Sequence, residues 1–501
     1  MSEATDRPDE DVELSAVEKE KLKHEGTLNG HLIFSVGVIV LSSIQFGFNI
    51  GAVNAPGHFI KSWIDASHFD IFGTHLGSTV TIVFSAAVAL FALGGLVGGL
   101  IVGWLADSQG RRTSLLINNI LAIGAGILMT TSYYANFYPI FIIGRFIIGI
   151  NAGIASGLVP LYLTELSPIR LRGAFGSLPQ LVVTISILIS QIVGLPQIFG
   201  TATLWPIIFA LILIPAILQV IGLMFISESP KYTLAFRDDY AQALEDLTKL
   251  RGNSDNAKLE LRAMRNEESE LSEDQNASIF KMFSPAYRWP MILGMGLMIA
   301  QQLSGINAAM FYSTEIFKEA GLTGQGAVYA TIAMGTINVL ITMISVWLVD
   351  HPRFGRRLLL IIGKLGMAIM GIGLVISMAL NRNKISDDVA PYFSTIFLPL
   401  YVVFFAIGPG SIPFFIVSEL FASDVRGSAN SIAVATNWGC NFLISLGFLP
   451  LNQIFHEFTF LIFVVVCILA ALFVWRYLPE TKHKSLKDVQ TDMASRRSKF
   501  S

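Results

Sequence analysis

Long uncharged apolar runs follow one another along most of the chain, and their lengths decide the class before any single residue does. Leu32–Gly57 and Leu76–Ala106 are two such runs. A third lies between Arg112 and Arg145 and closes at the turn Asn136-Phe137-Tyr138-Pro139; a fourth is Phe146–Thr164. Gly173–Ser227 holds no Asp, Glu, Lys or Arg over 55 residues, which is too long for one helix and fits two, turning between Pro196 and Pro206. A second series follows: Trp289–Thr314, Ala320–Val349, Leu358–Leu380, Pro391–Ser418, Gly427–His456 and Phe458–Trp475. A bilayer core takes about 20 apolar residues per helix, and lipid admits only segments that satisfy their own backbone. The pattern predicts an all-α membrane protein with twelve transmembrane helices.

Polar residues concentrate where these runs stop. Residues 1–28 carry 13 charges, 228–288 carry 21 and 476–501 carry 10, so 44 of the 70 charged residues occupy three short segments. This divides the chain into a tail (1–28), six spans (29–227), a polar linker (228–288), six more spans (289–478) and a second tail (479–501). Within the linker, Leu244, Leu247 and Leu250, and then Leu259 and Ala263, recur at helical spacing among charges and predict short amphipathic helices. Arginines after spans 2, 4, 8 and 10 (Arg111, Arg112, Arg170, Arg172, Arg353, Arg356, Arg357, Arg426) outnumber the basic residues of the opposite loops (Lys61, Lys318, Arg382, Lys384), which places both termini and the linker in the cytoplasm. The acidic start (Asp9, Glu10, Asp11, Glu13) lacks the basic region of a cleaved signal, so the first run is expected to remain as an anchor. With 53% hydrophobic and only 14% charged residues and a net charge of −2, a soluble enzyme, a disordered regulator and a nucleic-acid binder are excluded. Cys440 and Cys467 are too few for a cysteine-rich metal site, and no metal or cofactor is expected.

The two series repeat their punctuation. Asp107, Gly110, Arg111 and Arg112 after span 2 match Asp350, Gly355, Arg356 and Arg357 after span 8, the glycines being 245 residues apart. Glu165 and Arg172 after span 4 match Glu419 and Arg426 after span 10, each pair 254 apart. Two pseudo-symmetric six-helix bundles around a central path are the architecture such a duplication produces. Topogenesis explains the arginines alone; carboxylates at matched offsets predict ion pairs at the cytoplasmic ends, forming a gate that holds the two bundles together in one state and breaks in the other.

Only Arg145 and Lys364 place charge within the spans: the first, near an outer end, is expected to pair with a polar group or carbonyl rather than with substrate, and the second is close enough to the interface to snorkel. No carboxylate falls at mid-depth, which argues for an uncharged substrate and a passive route. Amides are frequent instead: Gln180, Thr184 and Gln191 on one stripe of span 5, Gln301, Gln302 and Asn307 in span 7, Asn338 in span 8, and Asn437, Trp438 and Asn441 in span 11. Carboxamides donate and accept, matching hydroxyls of either orientation, and aromatic rings such as Trp438, Phe405 and Phe414 cover the apolar face of a pyranose. The bland alternative is interhelical glue. Gly408-Pro409-Gly410-Ser411-Ile412-Pro413 in span 10 reads as a broken helix and hinge, with Ser304-Gly305 in span 7 as its partner.

At these residues the chain resembles the sugar porter family of the major facilitator superfamily, animal facilitative hexose transporters above all, over about residues 30–485. The motifs that carry the resemblance are Gln301-Gln302-Leu303-Ser304-Gly305-Ile306-Asn307, Gly110-Arg111-Arg112, Gly355-Arg356-Arg357, Glu228-Ser229-Pro230-Lys231, the Gly-Pro-Gly run, Asn437-Trp438 and Pro479-Glu480-Thr481-Lys482. It implies the major facilitator fold, alternating access, and sugar contacts at Gln180, Gln301, Gln302, Asn307, Asn338, Trp438 and Asn441. Proton-coupled members carry Asp where this chain has Asn49, which implies uniport. Glucose-type members usually have Trp at Phe414, Glu at Ala406 and Gln-Leu-Ser at Met298-Ile299-Ala300. Ala406, the missing Gln-Leu-Ser and Pro179 lean toward fructose-type members, while Asn437 and the Gly-Pro-Gly form lean toward glucose. The expectation is a plasma-membrane facilitator of a neutral hexose, D-glucose first, with fructose or dual specificity, a proton-coupled symporter and a non-transporting sensor as the alternatives.

Overall fold

The structure, a computed structural model, describes residues 29–168, 171–271, 287–322, 325–350, 354–382, 390–421 and 423–481, with single positions between 282 and 285 and between 489 and 496. All regular structure among them is helical. The predicted tail 1–28 and the loop arginines Arg170 and Arg353 lie outside the described residues, as do the side chains of Arg172, Asp350 and Arg426.

The first half comprises α1 (Gly30–Gly51), α2 (Gly57–Phe72), α3 (Val80–Gln109), α4 (Arg111–Tyr134), α5 (Tyr138–Leu166), α6 (Arg172–Val193), α7 (Trp205–Ala210) and α8 (Leu213–Leu223). Three helices of the polar linker follow: α9 (Pro230–Arg237), α10 (Tyr240–Arg251) and α11 (Ser254–Leu271). The second half comprises α12 (Arg288–Gln302), α13 (Ile306–Glu319), α14 (Gly326–Asp350), α15 (Arg356–Arg382), α16 (Ala390–Ile407), α17 (Ile412–Leu420), α18 (Ser423–Phe455) and α19 (Thr459–Tyr477). Eleven apolar helical stretches among the described residues are long enough to cross a membrane. The last, Ser428–Tyr477, is 50 residues long, about 75 Å if straight, or more than twice a bilayer core. It turns back at His456, whose φ of +49° ends the helix, so α18 and α19 are two passes.

Close packing between the spans rests on small residues, as expected where lipid gives helices no hydrophobic drive to associate. A side chain at Gly94 or Gly98 of α3 would strike the backbone of α5 at Phe146 and Ile150, and one at Gly149 or Gly153 of α5 would strike α3. Gly95 and Gly99, on another face of α3, receive Trp438 and Val434 of α18 from the other half. The helix that knits the first half together is therefore also its seam with the second.

Three features differ from the pattern reading. Arg145 bounds no helix: α5 begins at Tyr138, and Arg145 is fully buried in it, donating from Nη1 to the backbone oxygen of Asn49 (3.1 Å) and stacked 4.7 Å from the Phe91 ring centroid. Lys364 does not snorkel; its Nζ is buried and donates to the Ala300 carbonyl (2.8 Å). The Asn49 carbonyl is the kind of partner expected for Arg145, whereas for Lys364 the Ala300 carbonyl takes the place that the sequence reading gave to the membrane edge. The third is α2, in a stretch that reads as loop. Its buried Ile60, Trp63, Ile64 and Ser67 sit at three- and four-residue spacing, one apolar face of a helix.

Candidate functional site

Two of the spans are broken, and the breaks lie against each other. Span 7 stops at Leu303–Gly305, where Gly305 takes φ +80° and a side chain would run into the Phe463 ring. Span 10 stops at Gly408–Ser411, and a side chain at Gly408 would meet the Leu359 carbonyl. Pro409 lies within that break, whereas Pro413 sits in the first turn of α17, where its missing N–H costs nothing. Gln301 joins the two breaks: its Nε2 donates to the Pro409 (2.8 Å) and Gly410 (2.7 Å) carbonyls freed by the second.

From Gln301 a chain of amides runs inward. Asn437 Nδ2 donates to Gln301 Oε1 (2.5 Å) and reaches Met298 Sδ (3.5 Å), and Gln302 Nε2 donates to Asn437 Oδ1 (2.8 Å). Asn307 Nδ2 donates in turn to Gln302 Oε1. Asn441, one turn beyond Asn437 on α18, accepts from Ser445 Oγ (3.1 Å). Trp438 is buried against Gly95, stacks near Phe46 (5.5 Å between centroids) and Phe91 (5.9 Å), and donates Nε1 to Ser156 Oγ (3.3 Å). It is a contact between the halves. Gln180 is half-buried and Asn338 buried, and neither joins this amide chain. Gln191 is buried with both Oε1 and Nε2 unpartnered, beside Gly335 of α14. An open buried amide costs about 1–3 kcal/mol, so this one marks a place where a polar guest is worth most.

The paired charges fall inside each half rather than between the halves. Arg111 binds Glu165 bidentately (2.9 Å for both contacts), lies 3.4 Å from Asp107, and stacks 4.9 Å from the Tyr232 ring centroid. Arg356 pairs with Glu419 in the second half. Glu228 accepts the backbone N–H groups of Arg111 (3.0 Å) and Arg112 (3.1 Å), and Glu480 accepts those of Arg356 (3.0 Å) and Arg357 (3.2 Å). Each carboxylate caps the free N-terminus of α4 or α15, where the helix dipole favours negative charge. Burial raises the Glu228 pKa, and the N–H groups of Ser229, Arg112 and Arg111 pull it down. Among the described side chains these are two matching clasps, each within one bundle. Glu228 and Glu480 were quoted in motifs without a role; their recurrence after the sixth and twelfth spans is the signal that marks them.

Further polar links between the halves lie at the far end. Asn54, just past α1, donates from Nδ2 to the Met310 carbonyl (2.9 Å) and Ser313 Oγ (2.6 Å), and accepts from Thr314 N (3.2 Å). Thr314 N and Met310 O would bond each other in a regular helix. The carboxamide stands between them, next to Tyr312, whose φ of −126° departs from helical values. Lys61 pairs with Glu315 beside it, and Gln197 reaches Gln325 and Tyr329 (3.0 Å each).

Residues 36–493 match the profile of the sugar (and other) transporter family. Facilitated glucose transporter protein 1 of Caenorhabditis elegans is 48% identical over 94% of this chain and 92% of its own length. Solute carrier family 2, facilitated glucose transporter member 1 of Gallus gallus is 38% identical over 92% and 93%. Among solved structures, the partially occluded inward-open xylose transporter XylE of E. coli superposes with TM-score 0.76 at 26% identity, covering 91% of this chain and all of that one. The match over most of the chain and the likeness to these relatives make the chain a member of the sugar (and other) transporter family with the major facilitator fold, a membrane transporter and not an enzyme.

Proposed function

We propose that the protein is a facilitative hexose transporter, D-glucose its first substrate, which carries the sugar down its gradient by alternating access between the halves 29–227 and 289–478. The observation that carries this reading is the interior amide set of Gln301, Gln302, Asn307, Asn437 and the unpartnered Gln191, with no carboxylate among them. Amides bind neutral hydroxyls and leave no group to carry a coupling proton. Asn49, where proton-coupled relatives have Asp, supports uniport, since Arg145 is met there only by a backbone carbonyl. Gln180, Asn338, Trp438 and Asn441 complete the proposed sugar contacts. Gly305, Gly408, Pro409, Gly410 and Pro413 form the joints. The arginine clusters are assigned to the cytoplasmic side together with both termini and α9–α11, in a plasma membrane.

Reconstitution tests the whole reading. Proteoliposomes are expected to take up D-glucose to equilibrium and no further, and collapsing an imposed proton gradient is expected to change nothing. Fructose uptake at a comparable rate would broaden the substrate to both hexoses. Uphill accumulation driven by protons would establish the symporter instead, and zero flux with intact binding would establish the sensor.

A further inference from the structure

Among the described residues Lys364 is the only buried lysine, and it sits in the second half with no carboxylate against it. Moving an ammonium out of water costs several kcal/mol, so an apolar residue in α15 would be cheaper unless the charge has a use. Its partner shows what that use is. Lys364 Nζ donates to the carbonyl of Ala300, in the last turn of α12 (2.8 Å). In an unbroken helix that oxygen would take the N–H of Ser304, but the chain turns at Leu303–Gly305. The neighbouring carbonyls are met in kind: Gln301 O by Ser304 Oγ (2.6 Å), Gln302 O by Gly305 N (3.1 Å), and Ser304 O by the Tyr401 hydroxyl. Gly363, next to Lys364, is packed against Pro409 at the break of span 10. Two adjacent positions on α15 thus touch both broken helices.

We propose that Lys364 is a positioning residue for sugar recognition. Its ammonium holds the end of α12 and so fixes Gln301 and Gln302, the next residues along, in the passage. A cation at a helix C-terminus is favoured by the dipole, and a charged hydrogen bond at a buried carbonyl is stronger than a neutral one. The role rests on the hexose reading above, and it makes α15, which offers no amide to the substrate, the splint for the helix that offers two.

The test compares Lys364→Met, which keeps the length and removes the donor, Lys364→Gln, which keeps an uncharged donor, and Lys364→Arg, which keeps the cation. Purified protein gives the D-glucose Kd of the folded fraction by calorimetry, and proteoliposomes give zero-trans KM and kcat. Lys364→Met is expected to raise Kd and KM on the order of tenfold with kcat changed less than about threefold, and Lys364→Arg to stay within about threefold of the native protein. Should Lys364→Met fail to fold, Lys364→Gln decides: a weaker Kd supports the role and an unchanged one overturns it. A variant that melts earlier yet binds as tightly as the native chain makes Lys364 a packing residue only, as does an Arg variant no better than Met. The native protein is its own control: if it binds no hexose, the transport reading falls and the positioning role with it.

Discussion

Gln302 is bonded at both ends, Nε2 on Asn437 and Oε1 on Asn307. Gln302→Ala removes a proposed sugar contact and leaves two amides short of a partner, so D-glucose binding is expected to weaken by about 1–3 kcal/mol, roughly 5- to 150-fold in Kd. Calorimetry on purified protein reads it, and an unchanged Kd would take Gln302 out of the site. Residue types in the interior were legible in the sequence, since an amide inside an apolar run is conspicuous. Their pairing was not. Gln191 and Gln302 look alike on a helical stripe, yet one is open and the other bonded at both ends. A carbonyl partner for Arg145 was foreseeable, but Lys364 was misread: a charge within a span is cheapest at the membrane edge, unless a neighbouring helix supplies a carbonyl, and no one-dimensional pattern reveals that neighbour.

The spans themselves were legible because lipid leaves the backbone little choice, and the joints because Gly-Pro-Gly and Ser-Gly break a helix by local chemistry. The amphipathic α2 was missed because it spans nothing, and spacing gives ion-pair partners along the chain but says nothing of which half they reach. Gly305 makes the joint of span 7 testable by itself. A side chain there meets two separate obstacles: a left-handed φ of +80° that costs a non-glycine residue about 1–2 kcal/mol, and the Phe463 ring. Gly305→Ala is expected to destabilise the protein by more than the backbone term. Phe463 is itself buried, so the measure is the cost of Gly305→Ala in a Phe463→Ala background: it should lose the steric part and keep the backbone part, as read by thermal unfolding in detergent. No cost at all in that background would mean that the turn does not need glycine, and the joint would then be set by its partners alone.

Taken whole, Asn54 ties one half to the other at its end, while the described pairs Arg111–Glu165 and Arg356–Glu419 of the opposite end stay within each half. Removing the Asn54 carboxamide takes three hydrogen bonds from that closed arrangement, on the order of 1–3 kcal/mol in net terms, and moves the population toward carriers open at that end. If that end is extracellular, Asn54→Ala lowers KM for influx and raises KM for efflux, because apparent affinity scales with the competent fraction. A carrier without an energy source adds a stricter condition. At equal sugar on both sides net flux must vanish, and at low sugar each one-way flux is kcat/KM times concentration. So kcat/KM must be the same inward and outward, in the native chain and in Asn54→Ala alike, however far the two KM values part. Zero-trans influx and efflux in right-side-out vesicles measure all four constants. Parted KM values with matched kcat/KM would join the Asn54 latch to uniport. A variant whose KM values stay together leaves uniport intact and removes the latch, and unequal kcat/KM in the native chain would mean that some other gradient is being spent on the sugar.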